Sequence, residues 1–225
     1  MSFKLIIGNK NYSSWSLRAW LFLMESGLPF EEVRLPLFTE IWQQIGQYSP
    51  AKRVPVLLDG DIAVWDSSAI YGYVRSRHPK AIGWPTDQCA EATARSIAAE
   101  MHSGFLGIRE QLPQNIRARV PVIRSTLTPA TQQEIDRVEQ MWAQAYDTYG
   151  GPWLFGDFSL ADVVYAPVAL RFVTYQIQLV DQAQMFIDAV QALPAIQTWA
   201  SASATEPEVL SFIDQLHLPV DSQSD

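Results

Sequence analysis

The feature that most restricts this chain is the alternation within its first eighty residues. Phe3 to Ile7, Glu31 to Leu35, Val54 to Leu58 and Ile62 to Val64 have strand character, and Ser16 to Glu25, Thr39 to Tyr48 and Ser67 to Arg77 read as helices. The order β-α-β-α-β-β-α predicts a small mixed sheet with helices on its faces. Two of its links read as parallel crossovers through helices, whereas Asp59, Gly60 and Asp61 leave room only for a hairpin.

From His78 the pattern breaks at Pro79, Gly83 and Pro85, and no strand is expected beyond it. Downstream, Ala90, Ala94, Ile97, Ala98, Met101, Phe105, Ile108 and Leu112 recur at steps of three and four, predicting one long helix from about Thr86 or Asp87. Further helices are expected over Pro129 to Tyr149, Leu160 to Ile177, Ala183 to Ala192 and Pro194 to Ser203. The expected domains are 1–78 as an α/β unit, 79–87 as a linker and 88–218 as an all-helical unit, with 219–225 a disordered tail.

Several function classes drop out on composition. A chain that is 48% hydrophobic has enough apolar matter for a sizeable core. No run approaches the roughly 20 apolar residues of a membrane span, and the amino terminus lacks a signal-peptide layout, so a cytoplasmic location is expected. Cys89 is the only cysteine, too few for an intrachain disulfide, and no metal-ligand spacing surrounds it. A net charge of -8 without a local concentration of basic residues disfavours nucleic acid.

Three segments could carry chemistry. In Asn11 to Arg18, serines 13, 14 and 16 stand where the first strand hands over to the first helix, and a helix N-terminus favours negative charge. A thiolate would gain there. Lowering a thiol pKa from about 8.5 by about two units corresponds to roughly 2.7 kcal/mol, the scale of one charge-assisted hydroxyl bond plus a helix terminus. Capping by Ser13 or Ser14 explains the same residues. In Arg53-Val54-Pro55-Val56, a proline precedes a strand; a cis Val54-Pro55 bond would turn a strand-like edge outward to an extended peptide, and a trans proline is the plainer reading. In Trp65-Asp66-Ser67-Ser68-Ala69-Ile70, Asp66 or Ser67 caps a helix, and the same group of atoms suits the two charges of an amino acid head.

These segments, in this order, resemble the glutathione transferase superfamily of bacterial type. Ser13-Ser14-Trp15-Ser16-Leu17-Arg18 resembles the Ser-Ser-Cys-Ser-x-Arg signature of the zeta class, the maleylacetoacetate isomerases. Val54-Pro55 resembles the cis-proline step whose valine pairs with the cysteinyl part of glutathione, and Asp66-Ser67-Ser68-Ala69-Ile70 the motif that holds the γ-glutamyl end. Gly156 to Asp162 contains a Ser159-x-x-Asp162 capping-box variant similar to the element that opens the family's central core helix. The resemblance implies a thioredoxin-like N-terminal domain followed by an all-α helical bundle. It also implies Ser13 as thiolate stabiliser with Ser14 second, glutathione as co-substrate, no metal, and a homodimer.

Trp15 stands where the zeta signature has cysteine, which removes any thiol nucleophile and weakens an isomerase assignment. Arg53, or Lys52, is placed to meet the glycyl carboxylate of glutathione. Arg95, His102 and Arg109 recur every seven residues and would form one cationic stripe along a continuous helix. Arg171 resembles a zeta-type arginine but lies three residues early relative to the capping box. The expected second-substrate residues are Tyr12, Trp15, His102, Phe105, Arg109 and Arg171, with Tyr175 beside them. The activity implied is transfer of the glutathione thiol to an electrophilic small molecule, as in detoxification, with a glutathione-dependent isomerase or dehalogenase, or a non-catalytic binding or regulatory member, as alternatives.

Overall fold

The computed structural model describes residues 2–217. The expected disorder of 219–225 lies outside the described residues. These fall into two compact units, one formed by residues up to Gly83 with Pro194–Glu208, the other by Trp84–Leu193 with the described residues from Val209 onward.

The first unit is a four-stranded mixed sheet of order β2-β1-β3-β4, with β1 (Phe3–Ile7), β2 (Phe30–Arg34), β3 (Val56–Asp59) and β4 (Ile62–Trp65). β1 pairs parallel with β2 through helix α1 (Ser14–Glu25), the expected parallel crossover. The second link differs from expectation. Ile41–Gln47 is a 3₁₀ helix, and β3 returns antiparallel to β1 instead of parallel. Tyr48, Ser49 and Lys52 turn the chain after it through bonds to Ile45 and Ser49 carbonyls, so the connection reverses direction before β3. β3 and β4 form the expected hairpin, and α2 (Ser67–Arg77) follows.

Ile6, Leu35, Ile45 and Val56 form a buried cluster against one face of the sheet. α1 buries nine of its twelve residues, far more than a one-faced surface helix would. The reason is a second layer. Helix α8 (Pro194–Ala204), read from the sequence as part of the later helical domain, packs in the first unit against α1, with the rings of Trp20 and Trp199 5.1 Å apart.

The second unit is helical: α3 (Gln88–Ser103), α4 (Leu106–Gln111), α5 (Pro129–Tyr149), α6 (Leu160–Tyr175) and α7 (Asp181–Ala192), with the short α9 (Ser211–Asp214). Its described residues contain one isolated bridge, Trp153 to Gly156, and no strand. α6 is the axis, with fifteen of sixteen residues buried. Its capping box forms as expected: Ser159 caps the first turn, and Asp162 accepts from the Ser159 N–H at 2.7 Å. Asp162 also takes the Leu154 N–H at 2.9 Å, and complete burial pushes its carboxyl up to about 6 against those donors. α5 opens on Thr128 and Pro129 and ends on Gly150 in the left-handed region, the arrangement that suits a helix start and stop. Its Trp142 packs against Tyr165, Phe172 and Phe186.

The expected long helix is broken. α3 stops at Ser103, Gly104 and Phe105 interrupt it with Phe105 at φ +56°, and α4 starts anew at Leu106. Glu134 holds that restart by accepting the Gly107 and Ile108 N–H groups. The periodic apolar positions therefore lie on two helices, and the heptad stripe of Arg95, His102 and Arg109 does not exist as one face.

Candidate active site

Strand register decides where the three chemistry-bearing segments lie. Ile6 stands opposite Val56, and Val56 opposite Trp65, so these residues form one row across β1, β3 and β4. β1 runs out of that row toward Gly8 and the Asn9 to Ser13 turn. β3, antiparallel, enters it from Val54-Pro55. β4, parallel to β1, leaves it into Asp66. All three segments consequently emerge at the same end of the sheet.

At the first, Ser13 is the α1 cap. Its oxygen accepts the Ser16 N–H at 3.3 Å, and its hydroxyl donates to Ser16 Oγ at 2.7 Å. Ser16 Oγ in turn accepts the Gly8 N–H at 3.0 Å, tying the helix start to the end of β1. Ser13 and Ser14 are both buried. The turn itself is fully specified: Glu206 accepts the Lys10 and Asn11 N–H groups at 2.7 and 3.0 Å, and the Asn9 carbonyl accepts those of Tyr12 and Ser13 at 3.3 and 2.8 Å. Asn9 is held through its side chain by the Leu37 N–H and Glu208.

At the second segment, the Val54-Pro55 bond is cis. Val54 packs against the cluster of Ile6, Leu35, Ile45 and Val56, which fixes the segment on the sheet's rim. Arg53 and Lys52 are exposed, with Lys52 in the left-handed region at φ +51°.

The third segment shows backbone strain. Asp66 adopts φ +74° and ψ 136°, a region that a β-carbon disfavours, and persists there because its carboxylate caps α2. Asp66 Oδ1 accepts both the Ser68 N–H and the Ser68 hydroxyl, at 2.8 and 2.7 Å. Ser67 is buried beside Tyr71, whose hydroxyl is pushed well above its usual range by burial, with the Arg18 charge pulling the other way. Arg18, buried on α1, stacks 4.5 Å from the Trp15 ring.

The residues expected at a second-substrate site divide between the units. Tyr12 and Trp15 stand in the first, and the Tyr12 hydroxyl reaches the Glu208 carbonyl at 3.4 Å. The other four stand in the second. Arg109 folds back on the end of α3, donating to the Met101 and Gly104 carbonyls at 2.5 and 3.0 Å. Burial lowers its pKa, against the nearby charge of Glu134. Arg171 is buried on α6 and donates to the Pro167 carbonyl of its own helix at 3.2 Å. Phe105 is buried, His102 half-buried, and Tyr175 donates to the Pro113 carbonyl at 2.8 Å. Arg95 pairs with Glu91 and lies over Trp84.

Residues 12–77 match the family model "Glutathione S-transferase, N-terminal domain". The chain is similar in fold to a glutathione transferase homolog from Burkholderia gl BGR1 solved with bound glutathione, with a TM-score of 0.69 and 23% identity over 92% of this chain and 100% of that one. The fold is that of the glutathione transferases. Maleylpyruvate isomerase, a bacterial zeta-class glutathione transferase, shares this fold at a TM-score of 0.67 and 20% identity over 92% of this chain and 100% of that one. In sequence, glutathione S-transferase F10 of Arabidopsis thaliana is 29% identical over 187 residues, 77% of this chain and 81% of that one. The dichloromethane dehalogenase of Methylorubrum extorquens is 36% identical over 66 residues, 28% of this chain. That of Methylophilus leisingeri is 32% identical over the same length. This chain spans only 23% and 25% of those two proteins.

Sequence reasoning missed Glu206, Glu208, Asn9 and the acceptor role of Ser16 at this site of the transferase fold. Glu206 lies 196 positions from Lys10, a separation across which no spacing rule operates.

Proposed function

We propose that this chain is a glutathione transferase whose first unit binds glutathione along the sheet end where Ser13, Val54-Pro55 and Asp66 emerge. The register row Ile6, Val56 and Trp65 carries the reading, because it gathers at one end three segments far apart in sequence. In this reading Val54 pairs by main chain with the cysteinyl residue, Asp66 and Ser67 take the γ-glutamyl head, and Arg53 meets the glycyl carboxylate. Ser13, with Ser14 beside it, faces the sulfur.

Ser13 has an energetic route to that task. Its hydroxyl proton is engaged by Ser16, a neutral bond worth about 1 kcal/mol net, whereas a hydrogen bond to a charged thiolate is worth about 1.5–3 kcal/mol. Turning toward sulfur is therefore favourable, and the Ser13 oxygen keeps the Ser16 N–H while it turns. The thiol proton leaves to solvent. Sulfur then forms a C–S bond to the electrophilic carbon, and a leaving group such as halide departs with the electron pair of the broken bond. The similarity of a 66-residue stretch to two dichloromethane dehalogenases favours a halogenated carbon as the second reading.

A homodimer and a cytoplasmic, detoxifying role belong to the same proposal. The experiment is retention on immobilised glutathione with elution by free glutathione, followed by conjugation of chlorodinitrobenzene. Retention with conjugation supports the transferase. Retention without conjugation of any halide or aryl electrophile favours the non-catalytic binding member, and failure to be retained removes the reading.

A further inference from the structure

We infer that Glu206 is a positioning residue for the sulfur end of the site, holding the turn that presents Ser13 from a segment almost at the other end of the sequence. The inference rests on the glutathione reading above. Its basis is the way one residue of the turn is tied on both sides. The Lys10 N–H donates to Glu206 Oε1 at 2.7 Å, and the Lys10 carbonyl accepts from the Trp199 indole N–H at 2.8 Å. Glu206 Oε2 takes the next N–H, that of Asn11, at 3.0 Å. Two successive backbone N–H groups aimed at one point form a concavity for an anion, and here the protein's own carboxylate fills it.

The carboxylate is itself fixed. It is buried, with Arg34 Nη1 3.5 Å away, and Arg34 is shared with Glu208 at 2.9 Å. Glu208 also receives the Asn9 side-chain N–H at 3.0 Å. Asn9 then passes the constraint on, since its carbonyl takes the Tyr12 and Ser13 N–H groups. Each N–H from residue 10 to residue 13 thus ends on Glu206 or on a residue held by its neighbour Glu208. Moving the carboxylate moves Ser13 relative to β1, the strand from which the peptide site is measured.

Glu206→Gln tests this because an amide offers one acceptor and turns a donor on the second N–H. Trp199→Phe is a companion that keeps an aromatic ring beside Trp20 and deletes the bond to the Lys10 carbonyl together with part of the buried indole. Two quantities are read on the intact chain: the pKa of the bound glutathione thiol by ultraviolet thiolate absorbance, and amide hydrogen exchange of residues 10–16 without glutathione. The expectation is a thiol pKa raised by about half a unit to one unit, a threefold to tenfold loss of thiolate. It includes exchange in residues 10–16 at least about tenfold faster than in β1 and β3. A merely structural role would lower thermal stability and leave the bound thiol's titration at the wild-type value, which overturns the inference. Wild-type protein that holds no glutathione would defeat the functional reading instead. The exchange arm then decides: selective acceleration in residues 10–16 supports positioning, and acceleration matched in the strands overturns it.

Discussion

The hydroxyls of Ser13 and Ser16 lie 2.7 Å apart, with Ser13 as donor, so the residue proposed as thiolate stabiliser spends its proton on a neighbour when no thiolate faces it. Ser16→Ala removes that competing acceptor. The variant is expected to leave the bound thiol's pKa unchanged or lower, the opposite direction from a loss of Ser13. It also strands the buried Gly8 N–H, which costs about 1–3 kcal/mol in urea unfolding.

Asp66 combines a cap with a charge, and two substitutions separate them. Asp66→Asn keeps an oxygen for the Ser68 N–H and loses the charge, so glutathione affinity by calorimetry is expected to fall about tenfold with stability nearly unchanged. Asp66→Ala is expected to lose the same affinity and about 1 kcal/mol of stability in addition. Neither should move the thiol pKa by more than a few tenths of a unit.

Asp162 sets a pH dependence in the second unit. Its pKa rises from about 3.8 when exposed to about 6 when folded. Between these values the folded chain holds a proton that the unfolded chain has released, so folding is strengthened there at the lower pH. The stability advantage of wild type over Asp162→Ala is thus expected to shrink by about 2–3 kcal/mol as pH rises from about 4 to about 6. Denaturation of both proteins across that range checks the sign.

Arg109 closes the end of α3 by bonds to two carbonyls, which gives it a structural task. Arg109→Ala is expected to cost about 1–3 kcal/mol of stability. At temperatures where the variant is folded, the ratio of turnover with anionic to neutral electrophiles should match wild type. A selective loss with anionic electrophiles would restore the arginine to substrate binding.

The elements of residues 3–77 are legible in the sequence because their signals are local. Strand composition, the hairpin at Gly60 and the caps at Ser13 and Asp66 each sit within a few residues of the structure they specify. Direction of pairing was not legible: a link long enough for a parallel crossover served an antiparallel return, since the turn after Ile45 is written in backbone bonds that many sequences make. The helix over residues 86–112 was misread for a related reason. Apolar spacing continues smoothly through Phe105 although the backbone there is left-handed, and the restart depends on Glu134 from another helix. Glu206 and Trp199 escaped because their partners lie about 190 residues away, beyond any periodicity.

The central claim concerns sulfur. Ultraviolet titration of the bound glutathione thiolate in wild type and Ser13→Ala tests it most directly. The account predicts a wild-type thiol pKa at least about one unit below the free value of about 8.5, and a rise toward that value in Ser13→Ala with affinity kept within severalfold. An unchanged pKa in Ser13→Ala together with a raised one in Ser14→Ala would give the role to Ser14. A wild-type thiol that titrates like free glutathione would contradict the account.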